Sequence, residues 1–419
     1  MDMRIRFALA ARSVLAAGLV LAAGAVPAQA APDFYAEPAE IPSEPGTVVA
    51  TEPIPFVGQT GAPAQRVKYT STLADGTPVA VTGTYLEPSA PYPAGPTPTV
   101  VIGPGTQGQG DQCAPSRQFP TGGQYDPKTG STSINYEGAF AVAFLTQGIR
   151  VFVTDYIGLG TPGIHTYVNR VEQGHAMIDA ARAATTLGDD DHAGPVAFWG
   201  HSQGGGAAAS AAELVGDYAP ELNVAGTYAS APPADLDAVL RHIDGTGLTA
   251  AIGFAINGFV ARYPELQSVV DEASNDRGKE VLRRVSTQCL IEARREFGGT
   301  STAQWTKDGK TLADSIGGNP VVQRVFDDQR IGNGTPSAPV LVNTAQADDF
   351  IPTDQARRLV TEWCSRGADA SLYVNELPPV PGGLGVNHLA PAATDFGVGL
   401  GWIKDRFAGV PTTSRCAEI

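Results

Sequence analysis

The segment Pro195-Val-Ala-Phe-Trp-Gly-His-Ser-Gln-Gly-Gly-Gly-Ala-Ala-Ala-Ser210 changes from an apolar run to an Ala-rich run at a single point. The apolar run predicts a strand and the Ala-rich run predicts a helix. At the junction, Gly200 and Gly204 flank Ser202 at a distance of two residues on each side. This spacing predicts a tight turn that admits only small neighbours, with the serine exposed at its tip and a helix N-terminus directly behind it. Ser202 is therefore a candidate nucleophile.

The sequence on both sides of this junction alternates between apolar runs and helical segments. Strands are predicted at 97–103, 150–155, 195–200, 224–229, 338–345 and 371–377, and helices at 171–187, 353–364 and about 393–407. Further upstream, 67–72 and 77–86 alternate apolar and polar residues around Asp75-Gly76, which predicts a hairpin. The Pro-rich segment 31–65 predicts an irregular arm. Strands that alternate with helices predict a mostly parallel sheet covered by helices on both faces.

The alternation stops between about residues 232 and 336, where no strand pattern is present. An apolar helical segment at 248–260 is followed there by a charged one at 271–296. A long, mostly helical insertion between two strands of a sheet predicts a cap. The predicted organisation is a leader at 1–30, a core in two parts at 31–232 and 337–419, and a helical cap or lid at 233–336.

A serine nucleophile on a strand-to-helix turn is followed along the chain by an acid and then by a histidine. Asp348 and Asp349 follow the strand predicted at 338–345. In Asp348-Asp-Phe-Ile-Pro352, an aliphatic residue and a proline stand three and four positions after Asp348, a pattern that favours Asp348 as the acid. Asp349 is predicted to be a solvated loop carboxylate or a helix N-cap.

His388 is the only one of the six histidines that follows Asp348 in the sequence. It lies between the last predicted strand and the last predicted helix, and we predict that it is the base. His201 would flank the nucleophile without acting as its base. The other histidines precede Asp348 and are predicted to be surface or packing residues; they are His165, His175, His192 and His242.

Two backbone N–H groups are expected to face the oxygen that becomes negatively charged during the reaction. Gln203, directly after the candidate nucleophile, supplies one, and Gln107 and Gly108, in the loop after 97–103, are candidates for the other. This loop also reads G-x-G-x-x-G from Gly103 to Gly108, as dinucleotide-binding loops do. However, a dinucleotide loop opens directly into a helix, whereas more loop follows here. We therefore predict no bound dinucleotide and no other cofactor.

The N-terminus has the pattern of an export signal. Arg4, Arg6 and Arg12 precede or adjoin an apolar stretch at 13–26, which is too short to cross a bilayer comfortably. Ala28-Gln29-Ala30 then supplies the small residues that precede a cleavage point. The sequence therefore predicts secretion and cleavage after Ala30.

Charge and cysteine content restrict the classes of partner and site. A formal net charge of -15 repels phosphate backbones and disfavours binding to nucleic acid. The four cysteines, an even number in an exported chain, predict two disulfides and leave three possible pairings open. Their wide spacing, with no nearby pair of histidines, predicts no metal site.

Five motifs together provide a more specific comparison. They are Cys113-Ala-Pro-Ser116, Asp155-Tyr-Ile-Gly-Leu-Gly160 with Thr161-Pro-Gly163, the Gly200–Gly204 turn, Asp348-Asp-Phe-Ile-Pro352, and Asn387-His388-Leu389. In these motifs the chain resembles the secretory lipase family, α/β-hydrolases that include secreted yeast lipases of the lipase A type and actinobacterial relatives. The resemblance implies the α/β-hydrolase fold and a catalytic triad of Ser202, Asp348 and His388.

The same resemblance implies the disulfides Cys113–Cys289 and Cys364–Cys416 and a cap that carries the lid and the acyl-binding surface. The yeast members have an acidic residue where Gly108 aligns, so the resemblance does not identify the second oxyanion donor. It implies a serine hydrolase, without a cofactor, that cleaves triacylglycerols or other lipid esters and contacts a lipid interface transiently. We expect a monomer.

Two other functions remain open from the sequence, a short-chain carboxylesterase and an extracellular acyltransferase. The apolar segment 248–260 can line an acyl tunnel or be buried in the interior of the cap. Nothing in the sequence selects an acyl acceptor other than water.

Overall fold

The structure is a computed structural model that describes residues 33–56, 63–127, 130–188, 194–413 and 416. The predicted leader, the cleavage point after Ala30 and His192 lie outside the described residues. All helices and strands given below belong to one compact unit, Tyr35–Ile419.

A nine-stranded sheet forms the centre of the molecule, with the strand order β1-β2-β3-β7-β4-β8-β9-β10-β11. Its strands are β1 Val48–Pro53, β2 Ala64–Thr72, β3 Pro78–Leu86, β4 Thr99–Gly103, β7 Arg150–Thr154, β8 Val196–His201, β9 Val224–Ser230, β10 Val340–Ala345 and β11 Ala370–Asn375. β5 Gly123–Asp126 and β6 Ser131–Ile134 pair separately. The pairs from β1 to β7 are antiparallel and those from β7 to β11 are parallel. Every residue of β4, β7 and β8 is buried, as expected for strands covered on both faces.

Helices cover the sheet and also form a separate group between β9 and β10. They are α1 Pro115–Gln118, α2 Glu137–Leu145, α3 Arg170–Leu187, α4 Gln203–Tyr218, α5 Leu236–Ile243, α6 Ala250–Arg262, α7 Leu266–Ala273, α8 Asp276–Val285, α9 Leu290–Phe297, α10 Leu312–Ile316, α11 Pro320–Gln329, α12 Thr353–Ser365, α13 Val386–Thr394 and α14 Phe396–Phe407. Short 3-10 helices lie at Asp111–Cys113 and Thr302–Gln304. In the described part of the chain, no helix has the length and apolar character needed to cross a membrane.

The predicted alternation of strands and helices is confirmed, with differences of a few residues at the ends, and the chain has the α/β-hydrolase fold. The prediction of an irregular arm at 31–65 was wrong in part, because β1 adds an antiparallel edge strand next to β2. The single helix predicted at about 393–407 is two helices, α13 and α14, which meet at Asp395. His388 therefore lies in the first turn of α13 and not in a loop. Pro391 lies inside α13, which continues to Thr394 although proline has no N–H to donate to the preceding turn.

The helices α5–α11, which we call the helical insertion, enclose their own apolar cluster. Phe254, Val281, Val285 and Phe297 are buried at its centre, and the cluster continues into Phe350 of the loop after β10. The charged helix predicted at 271–296 is divided into α8 and α9. Cys289 stands at the N-cap of α9, where its disulfide to Cys113 fixes the start of a new helix.

Both disulfides that the family resemblance implies are present. Cys113–Cys289 joins the segment after β4 to the helical insertion, with 5.4 Å between the two Cα atoms. Cys364–Cys416 joins α12 to the C-terminal segment. The first disulfide is reinforced by backbone pairing, because Leu290 N–H donates to the Gln107 carbonyl at 2.8 Å.

Candidate active site

Ser202 lies at the tip of the turn between β8 and α4. Its backbone angles, φ 60° and ψ -122°, are rarely adopted by a residue with a side chain, and its N–H donates to the Ser230 carbonyl at 2.9 Å. A Cβ atom on Gly200 would overlap the carbonyl oxygen of Gly204, and one on Gly204 would overlap that of Gly103. The strained turn is therefore possible only because glycine occupies both flanking positions.

The three residues predicted from motif order meet at this turn, although they are far apart in the sequence. The Nε2 atom of His388 lies 2.8 Å from the Oγ atom of Ser202. The Nδ1 atom of the same ring lies 3.0 Å and 3.1 Å from the two carboxylate oxygens of Asp348. Because a carboxylate can only accept, Nδ1 carries a proton and Nε2 is free to accept the hydroxyl proton of Ser202.

Asp348 is held as a carboxylate in a buried position. Its Oδ1 atom accepts hydrogen bonds from the backbone N–H groups of Phe350 and Ile351, at 2.9 Å and 2.8 Å. Burial by itself raises the pKa of this group. The His388 ring and the two backbone N–H groups outweigh that effect, and the pKa of Asp348 is lowered from its ordinary value. The acid beside His388 therefore stays ionised.

Asp349 has a different role from its neighbour. Its Oδ1 atom accepts from the backbone N–H of His388 at 3.0 Å, and its Oδ2 atom accepts from that of Gly385 at 2.6 Å. These N–H groups belong to the first turn of α13 and have no carbonyl partner within that helix. Asp349 is therefore neither the N-cap residue nor the solvated carboxylate predicted from the sequence, since Pro352 and Gly385 are the N-cap residues of α12 and α13. Its side chain instead accepts from the start of α13, which is distant in the sequence.

His201 packs beside the candidate base at the end of β8. Its ring centroid lies 4.7 Å from that of His388, and its Nδ1 atom is 2.9 Å from Ser230 Oγ. Burial, followed by the nearby His388 ring, lowers the pKa of His201 to about 3, so the ring is neutral at neutral pH. The candidate base therefore has a neutral ring packed beside it.

A chain of buried polar side chains extends from His201 across the carboxyl ends of adjacent strands. Ser230 Oγ donates to Asn343 Oδ1 at 3.0 Å, and Asn343 Nδ2 donates to Asp395 Oδ2 at 2.9 Å. Asn375 Nδ2 donates to the other oxygen of Asp395 at 2.7 Å. Asp395 directly follows α13, so this chain fixes the far end of the helix that carries His388. Sequence reasoning missed these residues, because single polar residues at strand ends have no recognisable spacing.

The side chain of Gln203 is fixed by another buried histidine. His165 Nδ1–H donates to the Ile157 carbonyl at 3.1 Å, which leaves Nε2 to accept from Gln203 Nε2 at 2.9 Å. Burial lowers the pKa of His165 to about 4. The interpretation of His165 as a packing residue is consistent with its burial, but the ring also orients the residue that follows Ser202.

The loop after β4 approaches Ser202 with Gly105 and Thr106, which line a cavity there. Gln107 and Gly108, the candidates from the sequence, line neither of the two cavities that reach Ser202. Gly108 pairs with Cys289, and a Cβ atom there would come within 2.5 Å of the Cys289 Cα atom. Both residues therefore attach the loop to the helical insertion.

Glu137, at the start of α2, supports the same loop. Its Oε1 atom accepts from the backbone N–H of Gly105 at 2.9 Å. The side chain is 3% exposed, and no described cation forms an ion pair with it. Burial raises the pKa of Glu137 to about 8, and the hydrogen bond from Gly105 lowers it only in part. The loop is thus held by a carboxyl group that is mostly protonated at neutral pH.

Two cavities meet at Ser202. The first has an empty volume of about 910 Å³ and is lined, apart from Ser202, Gln203 and Tyr167, by apolar side chains, most of them from the helical insertion. The second, of about 980 Å³, is lined by Thr106, Tyr136, His201, Arg294 and His388 together with apolar residues. The site therefore has one apolar and one mixed compartment, and Ser202 lines both.

The described residues include no cluster of three or more histidine, cysteine or acidic side chains that could hold a metal ion. The G-x-G-x-x-G loop does not open directly into a helix: a short 3-10 helix begins at Asp111 and α1 at Pro115.

Ser116 N–H in α1 donates to the buried Asp155 at 2.8 Å. These two residues of the family motifs therefore stabilise the loop and do not contact Ser202.

Comparison with known proteins identifies a family and several relatives. A family model described as "Secretory lipase" matches residues 124–415. A Mycobacterium tuberculosis protein named "Probable inactive lipase" is 27% identical over 396 residues, which cover 91% of this chain and 83% of that protein. A secreted triacylglycerol lipase of Malassezia furfur is 26% identical over 309 residues, which cover 72% of this chain and 76% of that protein.

Solved structures show the same fold. The closed state of Candida antarctica lipase A superposes with a TM-score of 0.75 at 21% identity, covering 91% of this chain and 87% of that chain. A rice cell wall degrading esterase, LipA from Xanthomonas oryzae, superposes with a TM-score of 0.69 at 17% identity, covering 87% of this chain and 99% of that chain.

Proposed function

Since this chain belongs to the secretory lipase family, and is thus a secreted serine ester hydrolase, we propose that it cleaves triacylglycerols or related lipid esters with Ser202 as nucleophile. The observation that carries the proposal is the contact series Ser202–His388–Asp348, with 2.8 Å and 3.0 Å between successive side chains. His388 and Asp348 are the proposed base and orienting acid.

The reaction follows from the protonation states at these atoms. His388 Nε2 takes the proton of Ser202 as Oγ attacks the ester carbonyl, and Asp348 stabilises the resulting imidazolium. His388 then gives this proton to the departing alcohol oxygen, which leaves the acyl group on Ser202. A water molecule, activated by the same imidazole, releases the fatty acid and restores the serine.

For the oxyanion hole we propose the backbone N–H groups of Gln203 and Thr106. Gln203 begins α4 directly after Ser202, so its N–H is one of the unpaired donors at the helix N-terminus. Thr106 lines the cavity at Ser202, and the preceding N–H, of Gly105, is already donated to Glu137. A structure with a phosphonate bound to Ser202 tests this assignment. A phosphoryl oxygen within about 3 Å of both nitrogens is expected, and contacts to Gln107 or Gly108 would refute it.

The apolar cavity supports an acyl chain as the group that is transferred. Ala251, Ile252 and Phe259 of α6 line it together with side chains from α5, α7, α10 and α11. Burial of each methylene of an acyl chain in such surroundings contributes about 0.8 kcal/mol. Residues 233–336 are accordingly the proposed cap, and α6 provides part of an acyl tunnel as well as part of the insertion's interior.

The surroundings of the second cavity support contact with a lipid interface. Several large apolar side chains are exposed there on three neighbouring segments; they are Ile134, Tyr136, Ile291, Leu384, Val386 and Leu389. Tyr136 and Leu389 also line the cavity itself. We also propose that the leader is removed after Ala30 and that the enzyme acts outside the cell.

A chain-length profile, measured together with Ser202→Ala, tests the function. Butyrate, octanoate and palmitate esters are compared, and sustained turnover of the longer esters is expected. Ser202→Ala should abolish turnover, whereas Ser210→Ala, a matched change on α4 outside both cavities, should not. Loss of activity beyond short chains would establish a short-chain carboxylesterase, and unchanged activity in Ser202→Ala would refute the proposed mechanism.

A further inference from the structure

The second cavity contains one permanently charged side chain, Arg294 of α9. Its Nη2 atom donates to the Leu384 carbonyl at 2.9 Å, and the centre of the guanidinium lies 5.7 Å from the Phe350 ring. The Phe350 ring in turn lies 5.3 Å from the His388 ring. The guanidinium is therefore separated from the candidate base by one aromatic side chain.

Arg294 has no counter-ion among the residues that the structure describes. No carboxylate there forms an ion pair with it, although Arg284, in the helix before it, pairs with Glu296 at 2.8 Å. Apart from the two histidines, the other side chains that line the cavity have no group that ionises near neutral pH. In a chain with 43 acidic and 28 basic residues, the described lining of this cavity thus has one arginine and no carboxylate.

The position of the cation relative to the scissile bond follows from the two cavities. Both cavities include Ser202 in their lining, so an acyl chain in the apolar cavity leaves the second cavity for the alcohol part of the ester. We propose that Arg294 binds an anionic group, phosphate or carboxylate, carried by the alcohol part of the ester. This inference rests on the proposed function and specifies its substrate class.

The chemistry of the guanidinium fits such a ligand. It has five N–H donors in a planar arrangement, and a single one is committed to the Leu384 carbonyl. The remaining donors suit the oxygens of phosphate or carboxylate. Because Leu384 and Phe350 already hold the side chain, little conformational entropy is lost when the anion binds. The exposed Leu384 side chain places this group at the rim of the cavity, which an anionic lipid headgroup can reach.

A matched pair of soluble substrates tests the proposal. These are 1-butanoylglycerol and 1-butanoylglycerol 3-phosphate, which share the acyl group and the ester and differ in the phosphate. The full-length secreted enzyme is compared with Arg294→Gln, Arg294→Lys and the control Arg295→Gln, an exposed neighbour with the same change of charge. For each enzyme, kcat and KM are measured by fatty acid release on both esters, with inorganic phosphate as a separate competitor.

The wild type should use the phosphate ester with a kcat/KM at least equal to that of the neutral ester. Arg294→Gln should lower the ratio of the two kcat/KM values by about tenfold or more, as expected for loss of a charged hydrogen bond, mainly through KM. Arg294→Lys should retain part of the preference, and Arg295→Gln should retain all of it.

An equal loss on both esters in Arg294→Gln would mean that Arg294 only holds the Leu384 loop, which overturns the proposal. A wild type that disfavours the phosphate ester, or an equal effect of Arg295→Gln, overturns it as well. Strong inhibition by inorganic phosphate that Arg294→Gln leaves unchanged places the anion elsewhere. If the wild type cleaves neither these esters nor neutral lipid esters, the proposed function itself fails.

Discussion

Asp349 accepts a hydrogen bond from the backbone N–H of His388 at 3.0 Å, while the preceding residue, Asp348, contacts the ring of the same histidine. Two adjacent carboxylates thus hold one residue at two points. The loop after β10 fixes the ring through Asp348 and the first turn of α13 through Asp349. The consequence is that His388 cannot rotate or shift without breaking contacts to this single loop.

Asparagine substitutions should separate the two carboxylates. Asp348→Asn should lower kcat by about 10⁴, because the amide no longer fixes the tautomer or stabilises the imidazolium. Asp349→Asn keeps one acceptor oxygen for the two N–H groups of α13 and should lower kcat by about tenfold to a hundredfold. Steady-state kinetics with matched circular dichroism spectra would measure both, and equal losses would show that the assignment of roles is mistaken.

Glu137 should make stability depend on pH. Its pKa is 4.5 as an ordinary carboxyl and about 8 in the folded state, so the folded protein keeps a proton that the unfolded chain loses. The stability that this group contributes is present below about pH 4.5 and is lost as the pH rises through about 8. Glu137→Gln is neutral at every pH, so its Tm relative to that of the wild type should rise by a few degrees between pH 5 and pH 8.5.

Calorimetry of both proteins at the two pH values measures this difference. Because the two proteins are compared at the same pH, the contributions of other titrating groups to the Tm cancel. One of these groups is His201, whose pKa is lowered. Its contribution to stability is present above about pH 6.5 and is lost as the pH falls through about 3. A Tm difference that does not change between pH 5 and pH 8.5 would mean that Glu137 is ionised in the folded protein.

The two disulfides should differ in their effect on activity. Cys113–Cys289 closes a loop with a sequence separation of 176, and its removal should cost at most about 5 kcal/mol of stability from loop-closure entropy. Cys364–Cys416 closes a shorter loop, with a separation of 52, and its removal should cost at most about 4 kcal/mol. The double alanine variant of the first pair should also lower kcat/KM, because Cys113 and Cys289 join the loop of Thr106 to α9.

The second pair provides the matched control, since it joins α12 to the C-terminal segment, away from Ser202. Thermal unfolding gives the loss of stability, and kinetics below both Tm values give the loss of activity. Equal kcat/KM values in the two double variants would argue against a role of the first disulfide in holding the site.

Narrowing the apolar cavity should change the acyl chain length that the enzyme prefers. Ala251→Phe fills part of the cavity lined by α6 and should lower the palmitate-to-butyrate ratio of kcat/KM by about tenfold or more, since each excluded methylene costs about 0.8 kcal/mol. Ala261→Phe, an exposed change on the same helix, should leave the ratio unchanged. A similar shift in both variants would point to a general effect on the insertion and not to an acyl tunnel.

Much of the fold was predictable because its signals are local. The hairpin around Asp75-Gly76, the strand at 195–200 and the helix at 171–187 follow from apolar spacing and turn residues, and the structure contains all three. β1 could not be predicted in this way, because an edge strand that is half exposed has little apolar pattern. α13 was missed because Pro391 and the nearby glycines normally indicate a loop.

The sequence by itself determined the turn at Ser202, the order of acid and histidine, and the cysteines available for pairing, because each depends on neighbouring residues or on a motif. Only the tertiary structure decided what surrounds Ser202. The pairing of Gly108 with Cys289, the contact of Glu137 with Gly105 and that of Arg294 with the Leu384 carbonyl join segments that are distant along the chain. The physical reason is that burial and hydrogen bonding act between whichever groups the packed sheet brings together, and this proximity leaves no regular spacing in the sequence.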